Sequence, residues 1–80
     1  MNLPLAHKII AEAEAQPFGF LKVRGRELAH EVRLMAKAGL IKESELNRGS
    51  DSDEAVITRV THAGHQFYRA LKQVRSYANN

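Results

Sequence analysis

Apolar side chains recur every three or four residues in three stretches of the chain, the spacing that places them on one side of a helix. The first stretch covers residues 4–16 and is followed by Pro17, which favours a helix end. The second covers residues 26–38 and is followed by Gly39, in the position of a C-terminal cap. The third follows Thr61, a good N-cap residue, and its apolar stripe consists of Phe67, Leu71 and Val74. The pattern therefore predicts three helices.

Two segments between these helices favour extended structure. Phe18–Val23 is apolar and lies before Gly25, which predicts a short strand or an extended connector. Ala55–Val60 is rich in β-branched residues and predicts a strand with Val56, Thr58 and Val60 on one side. A polar loop over residues 42–54 precedes it. We expect two short strands joined by this loop to form a β-hairpin.

The resulting order is helix, short strand, helix, hairpin and helix. It suits a winged helix, in which a helix and the following two-stranded wing pack on a helical core. A small three-helix bundle with a disordered 42–54 loop is the alternative. Residues 77–80, at the end of the sequence, are expected to fray.

Two signatures carry a resemblance to a known fold family. Ala38-Gly39-Leu40-Ile41, at the end of the second helix, resembles the start of the wing in many winged-helix proteins. Thr61-His62-Ala63-Gly64-His65-Gln66-Phe67 resembles the passage from the second wing strand into the next helix. Together they are similar to a family of small uncharacterised winged-helix proteins of bacteria and phages, over residues 20–72. The resemblance implies a mainly α fold with a small β-hairpin, in a single winged-helix domain over residues 1–80.

The resemblance also implies a class of function. Winged helices often bind DNA, and others serve as dimerisation or protein-docking modules. One departure concerns the start of the 26–38 helix, where there is little room for the separate short helix of a full helix-turn-helix. Either residues 20–25 substitute for that helix, or the helix-turn-helix geometry is degenerate.

A basic stripe is predicted on the exposed side of the 26–38 helix. At about 100° per residue, four residues fall on one line opposite the apolar face. These are Arg26, His30, Arg33 and Lys37. Such a helix fits the major groove of DNA, with arginines reaching guanine edges or phosphates, and Lys22 and Arg24 just upstream are expected to contact phosphates. Glu27 and Glu31 are expected on the flank, and the alternative is the ordinary charged face of an amphipathic helix.

The loop before the last strand is acidic, whereas a DNA-binding wing is usually basic. Residues 41–54 hold five acidic and two basic residues. Phosphates repel such a segment. The acidic 43–54 segment therefore either points away from DNA or meets a basic protein partner, and a solvated turn explains the same composition.

The last helix offers a surface for a second copy of the chain. The predicted homodimer interface consists of Phe67, Tyr68, Leu71 and Val74. Two-fold symmetry would then present two basic helices to DNA. The alternative is that Phe67, Leu71 and Val74 close the core of the monomer, and both uses are compatible because a core face and a dimer face can adjoin on one helix.

Composition limits the number of domains and the classes of function that this chain can have. The 80 residues suffice for one domain, and the formal net charge is +3. The absence of cysteine excludes a disulfide framework, a thiol nucleophile and a cysteine-based zinc site. No apolar run has the length of a membrane span or a secretory signal, which predicts a cytoplasmic protein without a membrane partner. His62 and His65 have a metal-compatible spacing, but roles at the helix start and the core edge are favoured, so no metal is predicted.

Catalysis is not expected. The serines lack a nucleophile motif, the glycines do not form a phosphate loop, and a chain of this size rarely closes a water-excluding pocket. No cofactor is predicted either.

The favoured function is that of a small, dimeric transcriptional regulator that reads double-stranded DNA with the 26–38 helix. The alternative is a protein-interaction module, of phage or mobile-element type, that uses a winged-helix scaffold without binding DNA.

Overall fold

The computed structural model describes the backbone of residues 1–44 and 53–78, and side chains as far as Leu71. Within these ranges the chain forms three helices and three strands. Their order is α1 (Leu3–Glu14), β1 (Leu21–Arg24), α2 (Arg26–Lys37), β2 (Ile41–Glu43), β3 (Glu54–Val60) and α3 (His62–Ala78). The predicted loop residues 45–52, the side chain of Val74 and residues 79–80 lie outside this description, whereas Tyr77 and Ala78 belong to α3.

The strands form one antiparallel sheet in the order β1-β3-β2. The sequence predicted a hairpin in a mainly α protein, and that prediction was too narrow, because β1 joins the sheet and makes the fold mixed α/β. The alternative three-helix bundle is wrong, since residues 41–43 and 54–60 are paired strands. Strand β1 begins three residues later than predicted because Gly19 turns the chain with a φ of +70°.

Register within the sheet determines which side chains face inward. Leu21 pairs with Ile57 and Arg24 pairs with Glu54, so β1 and β3 match without interruption. Between β2 and β3 the register shifts, and Lys42 pairs with Arg59 whereas Glu43 pairs with Ile57. This bulge leaves Thr58 without a cross-strand partner on β2, and its hydroxyl donates to the carbonyl oxygen of Lys42 at 3.1 Å. The bulge therefore interrupts the alternation along β3, so the prediction that Val56, Thr58 and Val60 share one side of the strand is wrong.

Helices α1 and α2 cover one face of the sheet, and the hydrophobic core lies between them and the strands. The largest fully buried side chains come from all of these elements: Ile9, Ile10, Val32, Met35, Ile41 and Ile57. Ala6 and Ala29 are also completely buried, which lets α1 approach α2 and the sheet closely. The opposite face of the sheet carries exposed side chains. We call it the open sheet face.

The two signatures meet at the junction of α2, β2 and α3. Gly39 has a φ of +80° and, with the amide of Leu40 bonded to the carbonyl of Met35, ends α2 as predicted. The hydroxyl of Thr61 donates to the Gly39 carbonyl at 2.6 Å and accepts from the Gly64 amide at 3.0 Å. The prediction of Thr61 as an N-cap is therefore confirmed, and the cap also fixes α3 to the end of α2.

Candidate nucleic-acid interface

Helix α2 is held by its buried face. Ala29, Val32 and Met35 are fully buried, and the opposite side of the helix faces solvent. Arg26, at the first position, has 92% of its side chain exposed. His30 and Lys37 are exposed on the same side. Three of the four predicted stripe residues therefore lie on one accessible line.

The fourth residue, Arg33, is half-buried. The prediction that it is exposed was wrong. Arg33 follows the buried Ala29 by four residues, which places it only about 40° further around the helix. The edge of the stripe thus merges with the packed face of α2.

Glu31 is also placed differently from the sequence prediction. It was expected on the flank of α2, but the residue is only 4% exposed. Both carboxylate oxygens accept from the backbone amide of Asn2, at 3.2 and 3.1 Å. Asn2 is the N-cap of α1, so the Glu31 charge lies at the positive end of the α1 dipole. The Glu31 carboxylate thus joins α2 to the start of α1. Because it is buried there, it does not oppose the positive charge of the exposed stripe.

Lys22 and Arg24 do not extend the α2 stripe. They alternate with the inward-facing Leu21 and Val23 on β1, so they lie on the open sheet face, whereas α2 packs on the other face. The sequence analysis expected Lys22 and Arg24 to add phosphate contacts to those of α2 because the two residues lie just before this helix in the chain. The fold divides them into two surfaces that meet near Arg26.

Acidic residues at the start of β3 face these cations. Glu54 lies 3.3 Å from Lys22 and 3.1 Å from Arg24, and Asp53 lies 3.7 Å from Arg26. All five side chains are substantially exposed, so each pair contributes little to stability and is easily opened. Part of the acidic 43–54 segment is therefore engaged with cations of the same chain. Residues 45–52 of this segment lie outside the described residues.

Helix α3 uses its aromatic residues within the chain. Phe67 and Tyr68 are half-buried and pack against the core, and Tyr68 stacks on His7 with ring centroids 4.6 Å apart. Leu71 is half-buried beside Leu3. The interpretation in which the stripe closes the monomer core thus agrees with the packing of Phe67, and Tyr68 packs there as well, although it was predicted only for the dimer interface. The dimer interface stays a prediction.

His65 forms a hydrogen bond through Nδ1 with the carboxylate of Glu14, which ties the start of α3 to the end of α1. His62 is exposed. Among the described side chains, no group of three histidine, cysteine, aspartate or glutamate residues is arranged to hold a metal ion. No helix in residues 1–44 and 53–78 is long and apolar enough to span a membrane.

The sequence interpretation missed the cations outside α2 and β1. Lys42 and Arg59 are exposed cross-strand partners on the open sheet face, and Phe20 is 57% exposed beside β1. Alternation along β1 could have predicted part of the open sheet face, since residues 20, 22 and 24 share one side of a strand. The place of Arg59 on this face could not be predicted in the same way, because the bulge at Thr58 moves its side chain to the other side of β3.

In comparisons with known proteins, no family model matches the chain, and no curated protein or solved structure matches it either. The resemblance to winged helices therefore stays a prediction from the sequence.

Proposed function

We propose that this chain is a small winged-helix protein that binds double-stranded DNA through α2. One observation carries the proposal: α2 presents Arg26, His30 and Lys37 to solvent along a single line, while its other side is fixed in the core. A rigid helix with a basic outer line is the element that many DNA-binding folds place in the major groove.

The spacing of the stripe fits this use. Arg26 and Lys37 lie eleven residues apart, which corresponds to about 16 Å along the helix axis. The major groove is about 12 Å wide, so cations at the two ends of α2 reach phosphates on both sides of it. His30 lies between them and faces the base edges. Phosphate contacts fix the position of such a helix, and the central side chains read sequence.

The arrangement around α2 supports the winged-helix assignment. Strand β2 follows α2 after the Gly39 turn, and β3 returns antiparallel beside it, as a two-stranded wing would. The segment 20–25, considered as a substitute for the first helix of a helix-turn-helix, contains β1 instead. The proposed contact with DNA therefore relies on α2 alone. A homodimer through α3 would present two copies of α2 and suits a transcriptional regulator.

The alternative function, docking to a basic protein, has less support from the geometry. Asp53 and Glu54 already face Arg26, Lys22 and Arg24, so a basic partner would have to displace those cations before it could bind these carboxylates.

Duplex binding is tested by fluorescence anisotropy with a labelled random-sequence duplex at low and physiological salt. The test variant is Arg26→Gln/Lys37→Gln, and the control is Lys8→Gln/Arg69→Gln, which removes the same charge from exposed positions on α1 and α3. We expect the test variant to lower affinity and to reduce the slope of log affinity against log salt by about 0.9 for each phosphate that is no longer bound. Equal losses of affinity in both variants, or no duplex binding by the folded wild type, would contradict the proposal.

A further inference from the structure

The open sheet face combines exposed cations from all three strands. Lys22 and Arg24 come from β1, Lys42 from β2 and Arg59 from β3, and all four are exposed. Glu54 is the only carboxylate among the described residues that alternation and register place on this face. Among the described residues, the face therefore has an excess of positive charge.

An exposed aromatic ring lies at the edge of this surface. Phe20 immediately precedes β1 and is 57% exposed, although a phenylalanine of a small domain contributes most when it is buried. The preceding Gly19 is so close to β3 that a Cβ there would lie 3.6 Å from the Cα of Arg59. Phe20 thus adjoins Arg59, and Arg59 pairs with Lys42 on the next strand. The positions of Phe20, Arg59 and Lys42 therefore form a row across the sheet.

We propose that the open sheet face binds single-stranded nucleic acid, with a base stacked on Phe20 and phosphates bound by Arg59, Lys42 and Lys22. Positive side chains that follow a phosphate backbone, combined with an aromatic platform for unpaired bases, are the general means of binding single strands. Bases in a duplex are already stacked on each other, so they leave no face for the Phe20 ring. The charge and the ring together therefore favour a single strand over a duplex on this surface.

This inference goes beyond the proposed duplex binding and uses other residues. Helix α2 packs on the covered face of the sheet, so its outer stripe and the open sheet face point in different directions. Each surface has its own ligand and its own set of variants. Failure of one proposal leaves the other testable.

The chain contains no tryptophan, so Phe20→Trp creates a single fluorescent reporter at the proposed stacking position. The probes are a short oligothymidine and a short oligouridine. We expect both oligonucleotides to quench the emission of Trp at position 20. Tighter binding of one of them identifies single-stranded DNA or RNA as the natural ligand. Heparin, which binds cations but has no bases, is expected to leave the emission unchanged. The control Leu3→Trp places the reporter at an exposed position on α1 and is expected to show no quenching.

Affinity measurements separate stacking from charge. Phe20→Leu keeps an apolar side chain and removes the ring, and we expect an approximately tenfold loss of affinity for oligothymidine. Lys42→Gln/Arg59→Gln is expected to reduce the salt dependence by about 0.7 in log–log slope for each phosphate that these cations no longer bind. Lys8→Gln/Arg69→Gln, which removes the same charge from exposed positions on α1 and α3, is the control and is expected to change neither quantity.

Three results would overturn the inference. The first is oligonucleotide binding that Phe20→Leu leaves intact and Arg26→Gln/Lys37→Gln abolishes, because α2 would then hold the strand. The second is equal quenching by heparin and oligonucleotide. The third is binding to anionic phosphatidylserine vesicles without binding to either oligonucleotide, which would make Phe20 a membrane-inserting residue. Melting curves for every variant establish that the protein is folded.

Discussion

Gly64 of α3 lies against the backbone of Leu40, so close that a Cβ at residue 64 would be 2.0 Å from the Leu40 carbonyl oxygen. The same atom would lie 2.8 Å from Cγ1 of Val60. Gly64 and Leu40 belong to the two signatures of the sequence, which are far apart in the chain and adjacent in the fold. Their close approach sets the position of α3 relative to the end of α2.

Gly64→Ala is expected to destabilise the protein strongly. Backbone must move to admit the methyl group, since the atom it meets is a main-chain oxygen. Overpacking of this kind costs about 1–3 kcal/mol and sometimes more, and we expect a decrease of about 3 kcal/mol in the free energy of unfolding. Urea denaturation followed by circular dichroism measures it.

Gly39→Ala is the matched control because it adds the same methyl group where nothing lies within 4 Å. Its cost comes from the φ of +80°, and a left-handed conformation costs an alanine about 1–2 kcal/mol. A decrease in stability at Gly64 no larger than the decrease at Gly39 would show that α3 shifts easily and that the junction is not tight.

Thr61→Val tests the cap that joins α2 and α3. The hydroxyl satisfies both the Gly39 carbonyl and the Gly64 amide, and valine keeps the shape but removes both bonds. We expect a decrease of about 1–2 kcal/mol in the free energy of unfolding, measured by urea denaturation, which is the upper part of the range for N-cap removal. Thr61→Ser retains the hydroxyl and is expected to recover most of this stability. Equal stability of the valine and serine variants would argue against the hydroxyl as the cause.

The elements of the fold were largely predictable because each has a local cause. Pro4, Thr61 and Gly39 mark helix ends through their own backbone chemistry, and the structure places them at those ends. Periodicity likewise located the buried face of α2. What local pattern could not supply was the pairing of β1 with β3, because strand pairing depends on contacts between residues distant in the sequence.

The candidate site was predicted only in part, because local pattern gives positions along a helix but not the contacts between distant residues. Helical geometry gave the line through Arg26, His30 and Lys37, whereas the half-burial of Arg33 depends on what packs beside Ala29. The burial of Glu31 depends on the N-terminus of α1, which approaches α2 only in the folded chain. The separation of Lys22 and Arg24 from the stripe follows from the sheet. Tertiary packing thus decides which charges share a surface.

Glu31→Gln is expected to lower stability without affecting either proposed nucleic-acid surface. The amide side chain still offers one acceptor to the Asn2 amide but no longer places a negative charge at the N-terminus of α1. We expect a decrease of about 1 kcal/mol in the free energy of unfolding, measured by urea denaturation. Glu27→Gln, at an exposed position of the same helix, is the control and is expected to change stability by at most about 0.5 kcal/mol. If Glu31→Gln and Glu27→Gln lowered the free energy of unfolding by similar amounts, burial of Glu31 would not strengthen its hydrogen bond with the Asn2 amide.

Glu54→Gln is expected to increase affinity for single-stranded nucleic acid. Glu54 lies near both Lys22 and Arg24, so its charge repels phosphates and also occupies two cations of the face proposed to attract them. These exposed pairs are weak, and their removal exposes cations at little cost in stability. We expect an increase of about two- to fivefold for oligothymidine at low salt, which becomes smaller as salt screens the charges.

The control for this gain is Glu12→Gln, which raises the net charge equally from an exposed position on α1. Because both variants change the total charge by the same amount, a gain confined to Glu54→Gln locates the strand on the open sheet face. An equal gain in both would mean that the oligonucleotide responds to overall charge. Unchanged or weaker binding by folded Glu54→Gln would contradict the proposed phosphate contact of Lys22, because release of this cation from Glu54 would not have strengthened binding.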